Sequence, residues 1–434
     1  MIMRNYISIT LLFWGSIAYS QQRFSNLQDI LTLAEKNSYT TLIASQQQRL
    51  AELTTKSAYG NAFNPRIPTS ASVTDNATLP VSFIPTDAFG GPSGNFRQVT
   101  LGQRYVTVMT IAPQFDLLNF GSLAKIKSAK LNEKLTNHSN ILTKKNLFDQ
   151  LNACYHNILS FQTQISILKQ NKFKADSLFF IVSNKYEQGL VRKQEVNEAE
   201  VNVINFKDKI EQASLNLQQQ YLSLQLLCET NDSLMVVQEL RIDPILQDVQ
   251  AIGNLNEENA KLQHAFAHAE YAAAQWANMP TLSLLTSFNY QNNSNASFMD
   301  KNNPWIKSNF WSLRLSWDFP TNVSKLTALK SSMINNNIAE INATHAALQT
   351  KIQNEQAEQD YQKSLAQYQN NSIIYKLKNE NYQKSKNQFE ANILPFDKLL
   401  LAQSDLLISE INVATSMAAI SFHKSKIDIL NQLK

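Results

Sequence analysis

The stretch Ser122 to Gln188, SLAKIKSAKLNEKLTNHSNILTKKNLFDQLNACYHNILSFQTQISILKQNKFKADSLFFIVSNKYEQ, decides the fold. It runs for 67 residues without one glycine or proline, with Gly121 before it and Gly189 after it. Helix breakers mark where helices stop, so their absence over this length predicts one continuous helix. At ~1.5 Å per residue it is roughly 100 Å long. That is several times the helix of an ordinary globular domain. A second stretch of this kind runs from Thr321 to Leu394, between Pro320 and Pro395. Two such rods in a chain of 434 residues argue against a compact enzyme.

The rest of the composition agrees. Six of the nine glycines fall between residues 60 and 121, and only Gly189 and Gly253 lie downstream. Breakers are thus confined to a few joints. Charged residues are 17%, so much of the polarity comes from Asn, Gln, Ser and Thr. Residues 1–20 read as a secretory signal peptide, with Arg4, an apolar run near Ile7 to Ile17, and Ala18-Tyr19-Ser20 at the cleavage site. Its removal takes one positive charge (39 − 1 = 38 basic against 35 acidic), leaving +3. That excess is no footprint of nucleic-acid binding. No later run reaches ~18 consecutive apolar residues, so no spanning helix is expected. An exported chain that enters a membrane is then left with a β-barrel.

Ser25 is a fair N-cap, with Gln28 as capping-box partner, for a first helical region ending near Gly60. Residues 66–119 read as a β-hairpin, with a loop from Asp75 to Gln98 around Gly90-Gly91-Pro92-Ser93-Gly94. The long helix follows and turns at Tyr186 to Val191, and a return helix runs from about Glu195 to Cys228. Asp243-Pro244 and Gly253 mark a linker, and helix resumes from Asn254 to Met279. A second hairpin, 280–319, holds Phe288 and Tyr290, then Trp311, Leu313, Leu315 and Trp317 alternating with polar residues. One apolar face and one polar face suit the lipid-facing wall of a membrane barrel. In the second rod, Ile334, Ile338, Ile341, His345, Leu348 and Ile352 step by 4 and 3, which is coiled-coil spacing.

The chain thus repeats itself: helix, hairpin, long helix, return helix, twice over. The expected divisions are a signal peptide at 1–20, a first repeat over 21–243 and a second over 244–434. Their helical hairpins lie at about 121–230 and 321–430. Trp317-Asp318 matches Phe115-Asp116 at an offset of 202, and Asn392 matches Gly189, and Ala402 matches Ala199, at 203. An offset this constant is the mark of internal duplication.

Tyr186-Glu187-Gln188-Gly189-Leu190-Val191, followed by Glu195-Val196 and Ala199, resembles the first periplasmic turn of TolC-family outer-membrane efflux proteins. Gly121 at the strand-to-helix junction and Pro65 and Pro280 at the hairpin entries fit as well. The resemblance implies an α+β membrane protein that works as a homotrimer. Three chains would form a twelve-stranded outer-membrane β-barrel continued by a twelve-helix periplasmic α-barrel. It implies a passive duct rather than an enzyme, without cofactor. Its partners would be outer-membrane lipid, a periplasmic adaptor (membrane fusion protein) and an inner-membrane pump of RND, MFS or ABC type. A periplasmic adaptor-like helical-hairpin protein is the competing reading, and a secreted structural coiled coil a third.

The resemblance places the periplasmic tip at the turns near 186–195 and 389–398. Tyr186, Gly189, Leu190, Val191, Phe389, Asn392 and Leu394 become the tip turns and adaptor-docking candidates. In the family a Tyr and an Arg of the second turn often hold an Asp of the first. The matching positions here are Phe389, Leu394 and Glu195, so the first two cannot donate those bonds. The family's paired Asp constriction falls on Lys398 and Leu401. Glu195, Glu198, Asp397 and Lys398 are the remaining gate candidates, with Glu195 and Lys398 expected to pair across the closed tip.

Enzymatic signatures are not found. His264 and His268 are four apart on a helix, which suits a shared metal, but no third ligand is evident. No HExxH, P-loop or dinucleotide motif is present. Cys154 and Cys228 lie 37 residues either side of Val191, hence at one height of a helical hairpin. Packed helices ~8–10 Å apart leave open either a disulfide or two buried thiols.

Overall fold

The computed structural model describes residues 22–241, 250–319 and 323–433, with the Phe89 side chain excepted. The expected signal peptide, the Asp243-Pro244 joint and Pro320 lie outside them. The chain divides into two compact units. One is built from residues 47–137 and 259–345, the other from residues up to 46, 138–258 and from 346 onward.

The helices come first, because the sequence dictates them most firmly. They are α1 (Leu27–Asn37), α2 (Tyr39–Phe63), α3 (Phe120–Glu187), α4 (Lys193–Cys228), α5 (Leu255–Trp276), α6 (Val323–Glu390) and α7 (Phe396–Gln432). The two rods α3 and α6 are 68 residues each. α3 starts at Phe120, beside Gly121, and stops before Gly189, whereas α6 stops at Glu390, four residues short of the expected end at Leu394, because its chain turns through Asn392. The N-cap of α1 is Asn26 rather than Ser25: the Asn26 Oδ1 accepts from the Asp29 N–H at 2.8 Å. The first helical region is also not one helix. It breaks at Ser38, and the carboxylate of Glu229 accepts from the Tyr39 N–H at the start of α2. A carboxylate there satisfies orphan donors and complements the helix dipole.

The strand unit holds the sheet. Its strands are β2 (Thr69–Asp75), β5 (Tyr105–Ile111), β6 (Gln114–Leu118), β8 (Thr281–Ser294) and β9 (Ile306–Ser316). β5 and β6 are successive parts of one line, interrupted at Ala112-Pro113, and both pair antiparallel with β8. Pro113 has no N–H to give, but its carbonyl accepts from Thr286 N at 2.9 Å and Thr286 Oγ1 at 3.0 Å. β2 pairs with β5, and β9 with β8. The sheet is therefore four strands wide, and among the described residues each of the strands β2 and β9 is paired on one side only.

The expected loop from Asp75 to Gln98 is instead partly ordered as a hairpin of β3 (Val81–Pro85) and β4 (Phe96–Thr100). Each strand is only five residues long, flanked by glycines and prolines, and too short for a period-two signal to stand out. Close packing explains one glycine. A Cβ on Gly121 would lie 3.0 Å from the Ala277 Cα, so α3 begins against the end of α5 where only glycine fits.

The helical unit packs the ends of both helical hairpins. A small parallel pair, β1 (Gln22–Phe24) with β7 (Leu234–Val236), was not expected from sequence. It closes a core with Ile30, Leu31, Leu151, Ile158 and Leu224. A second core joins α3, α4, α6 and α7 through Leu178, Val182, Val196, Tyr382, Phe396, Leu399 and Leu406. Cys154 and Cys228 are free, buried thiols in the first of these cores. By length and composition α7 could cross a membrane, against expectation. Its apolar side chains have other partners: Phe396, Leu399, Leu406 and Ile427 are buried among neighbouring helices.

The coiled-coil seam of α6 divides in two. Tyr361, Leu365, Tyr382 and Phe389 are buried, whereas Ile334, Ile338, Ile341 and Leu348 are exposed, Ile341 at 67%. A lone chain therefore leaves the first half of the seam uncovered.

Candidate functional site

The sheet has two chemically different faces. Residues paired across antiparallel strands share a face, so the register assigns them. One face carries Ala71, Met109, Tyr290, Ile111, Phe288, Leu284, Leu313, Leu282, Leu315 and Trp311. These are apolar, and Trp311 is 73% exposed; the same face also carries Thr286 opposite Trp311 and, nearer the loop end of the strands, Asn309 and Lys307. Trp317, just past β9, donates its indole N–H to the Asn278 carbonyl at 3.1 Å and stacks on Phe319. An amphipathic ring with one tethered polar end suits a membrane–water boundary.

The other face is mostly polar and internally bonded. Ser283 Oγ donates to Asp116 Oδ1 at 2.8 Å, and the Arg66 guanidinium pairs with Asp116 at 2.5 Å. Thr110 Oγ1 meets Asn289 Oδ1 at 2.7 Å. Ser312, Arg314 and Ser316 lie on this side. Fourteen residues in β8 and eleven in β9 exceed or meet the ~9–11 a tilted membrane strand needs.

The second candidate region is the pair of turns that end α3 and α6. Each closes through a left-handed residue, Gly189 (φ 76°) in the first and Asn392 (φ 62°) in the second. The hydrogen bonds correspond one for one. Gly189 N bonds Tyr186 O at 2.9 Å and Leu190 N bonds Lys185 O at 2.9 Å; Asn392 N bonds Phe389 O at 3.1 Å and Ile393 N bonds Gln388 O at 2.8 Å. Every partner is displaced by 203 residues, so the duplication reaches individual hydrogen bonds.

Tyr186, Gly189, Leu190 and Asn392 are exposed, and Val191 and Leu394 half-buried. Phe389, expected among the docking residues, is only 4% exposed. Its ring packs on Phe396, centroids 5.4 Å apart, so it belongs to the core and not to a docking surface. Glu195 and Glu198 are half-buried, Asp397 and Lys398 exposed. Within the chain Glu195 and Lys398 do not pair with each other: among the described residues neither enters an ion pair.

The residue that joins the turns is one that sequence reasoning missed. Lys185, in the last turn of α3, sends its Nζ to the carbonyls of Phe389 at 2.8 Å and Glu390 at 3.4 Å. It also reaches Asn392 Oδ1 at 2.6 Å and sits 4.4 Å from the centre of the Phe389 ring. Those carbonyls lie at the negative end of α6, where a cation is favoured. The available signal was a lysine one turn from a helix end.

Further polar bonds tie the hairpins together. Asn171 and Lys174 of α3 reach Glu410 of α7 at 2.5 and 3.4 Å, and Asn202 of α4 donates to Gln403 of α7 at 3.0 Å. Among the described residues no group of three or more His, Cys, Asp or Glu is placed to hold a metal.

The fold is that of outer-membrane channels. Over 93% of its length the chain superposes on VceC from Vibrio cholerae, covering 95% of that chain, with a TM-score of 0.76 at 13% identity. A membrane protein from Pseudomonas aeruginosa matches over 93% and 89% of the two chains, with a TM-score of 0.76 at 14% identity. The CmeC outer membrane channel of Campylobacter jejuni matches over 93% and 85%, with a TM-score of 0.67 at 14% identity. In sequence, residues 42–228 match the model of the family described as outer membrane efflux protein. Comparison with curated proteins returns no match.

Proposed function

We propose that this protein is one subunit of a passive trimeric duct, across the outer membrane and the periplasm, in a tripartite efflux or type I secretion system. The observation that carries the reading is the two-faced, four-stranded sheet with an unpaired strand at each edge. Four strands cannot enclose a pore, since the smallest membrane barrels have about eight. An open edge in lipid leaves backbone groups unsatisfied, so edges must pair. Pairing β9 of one copy with β2 of the next is a heterologous contact that closes as a ring. Three copies make twelve strands, with Trp311, Leu313, Leu315, Phe288 and Tyr290 toward lipid and Ser312 and Arg314 toward the lumen.

The uncovered half of the α6 seam has the same explanation, a neighbouring copy. The exposed turn residues Tyr186, Leu190 and Asn392 are the docking surface for a periplasmic adaptor. Energy comes from an inner-membrane pump of RND, MFS or ABC type. Glu195 and Lys398, unpaired within the chain, pair between copies at the closed tip, with Glu198 and Asp397 beside them. Purified protein added to a planar bilayer tests the duct. Stepwise conductance from a particle of three chains is expected; a monomer that leaves the bilayer silent would refute it.

A further inference from the structure

The sheet face that carries Phe288 and Tyr290 changes character at its loop end. Register sets Thr107 opposite Asn292, and Tyr105 opposite Ser294, on that face. Thr107, Asn292 and Ser294 are each only 1% exposed. Their cover is the connection between β8 and β9, which folds back over them. Phe298 packs edge-on against the Tyr105 ring, centroids 4.8 Å apart, and the Asn303 amide donates to the Asn293 carbonyl at 2.8 Å. Beneath this cover two oxygens have no hydrogen-bond partner among the described residues, Thr107 Oγ1 and Asn292 Oδ1. A buried polar atom left unpaired keeps the whole of its desolvation cost, so folded proteins rarely leave one unanswered.

What lies around them is oxygen. Asn292 Nδ2 holds two main-chain carbonyls, that of Asp300 at 3.2 Å and that of Asn303 at 2.9 Å. A half-turn of this amide presents Oδ1 to the same two carbonyls, and oxygens at that spacing can share a hard ion lying ~2.3–2.6 Å from each. Asp300 supplies the charge. Its Oδ1 accepts from the Asn302 N–H at 2.9 Å and its Oδ2 from Ser294 Oγ at 2.7 Å, bonds that hold the carboxyl below its ordinary range and so ionised. Among the described residues no basic side chain pairs with it. We infer that the β8–β9 connection holds a calcium ion, with Asn292 Oδ1 and the Asp300 and Asn303 carbonyls as ligands and the Asp300 carboxylate as counter-charge. Hard oxygen donors without nitrogen or sulfur suit calcium and not zinc. Only one ligand-bearing residue is acidic, so the site is unlike the His, Cys, Asp and Glu clusters sought above. A single carboxylate makes the site weak, on the order of 10⁻⁴–10⁻³ M as in extracellular modules. On the duct reading the site faces the outside medium. β8 has 14 residues where a tilted membrane strand needs ~9–11, and its last three are the polar Asn292-Asn293-Ser294. Bound there, the ion pins the external loop to β5 and β8. All the ligands belong to one chain, so the site does not depend on the trimer.

The test titrates the chelator-stripped, full-length protein in detergent with CaCl2, followed by calorimetry. One ion per chain is expected, with MgCl2 roughly tenfold weaker or worse, because Mg2+ demands a tight octahedron and gives up water reluctantly. Ligand charge sets affinity in such sites, so Asp300→Asn should weaken calcium roughly tenfold and Asn292→Asp, with a second carboxylate, should tighten it roughly tenfold. That gain is one a misfolded variant cannot give. Asp87→Asn, in the other loop, should bind as the parent does. Cleavage after the exposed Lys301 by a lysine-specific protease should slow several-fold in calcium for the parent and not for Asp300→Asn. The inference is overturned if the parent takes up no calcium or takes magnesium equally well, if Asp300→Asn binds like the parent, or if Asn292→Asp gains nothing. Water alone then serves the buried oxygens. Conductance is not part of the readout, so failure of the duct reading and failure of the ion site are told apart.

Discussion

His156 sits in the helical unit between the Tyr155 and Phe422 rings, with its Nδ1 at 2.9 Å from the Asn152 carbonyl. Burial pulls its imidazole down to about 4. The unfolded chain, with an ordinary value near ~6.5, takes up a proton that the folded chain refuses. Stability therefore falls as pH drops from about 6.5 toward about 4, by up to ~3 kcal/mol. His156→Phe should flatten that acid limb in a melting-temperature series across pH. The two cysteines behave in the opposite sense. Burial pushes the Cys154 thiol up to about 11 and Cys228 to about 12, with Cys154 adding to the second. Thiolate is the reactive form. A thiol-specific reagent at pH 8 should label neither in the folded protein and both after denaturation. The sequence put both at one height of a hairpin but left their bonding open, because helix spacing alone does not decide whether sulfur atoms meet.

At the level of elements, each long helix ends where backbone chemistry ends it. A β-branched residue at the left-handed position of Gly189 should cost roughly 1–2 kcal/mol, so Gly189→Val should lower the unfolding midpoint, while Gly189→Asn, the residue used at the matching position Asn392, should lower it less. On β9 the two faces predict opposite phenotypes. In the proposed barrel Leu313→Lys puts a charge toward lipid and should cost about 2–4 kcal/mol near the midplane, seen as poor insertion into vesicles. Ser312→Lys, one residue away, should insert normally and shift the reversal potential toward anion preference. The helices were legible because glycine and proline are so rarely used. β8 and β9 were legible from aromatic alternation. β3 and β4 were not, being short and crowded by turn residues, and β1 and β7 are only three residues each. The α6 seam was legible as a period. What the period does not encode is whether a residue's partner lies in the same chain, which is why Tyr361 is covered and Ile341 bare.

At the level of the whole molecule, the proposed trimer would hold its joints within and between copies by different forces. A shared core and an engaged lysine hold the first. The second would rest at the tip on the proposed ion pairs of Glu195 with Lys398, each worth about 0.2–1 kcal/mol when exposed and weakened by salt. Open probability should therefore rise with ionic strength. Glu195→Lys or Lys398→Glu alone should leak in single-channel recordings, and the double swap should restore closure. The tip was only half legible: the turns could be placed from Gly189 and Asn392, but a lysine in the last turn of a helix is too common a signal to single out Lys185, whose partners are carbonyl oxygens. The unpaired edges of the sheet have a genetic consequence. A copy whose β2 cannot be joined, for example Ser72→Pro, still offers a sound β9 and enters rings it cannot complete. Co-expressed in equal amount with the parent, it should leave roughly one assembly in eight intact, so a defect in one allele would behave as dominant.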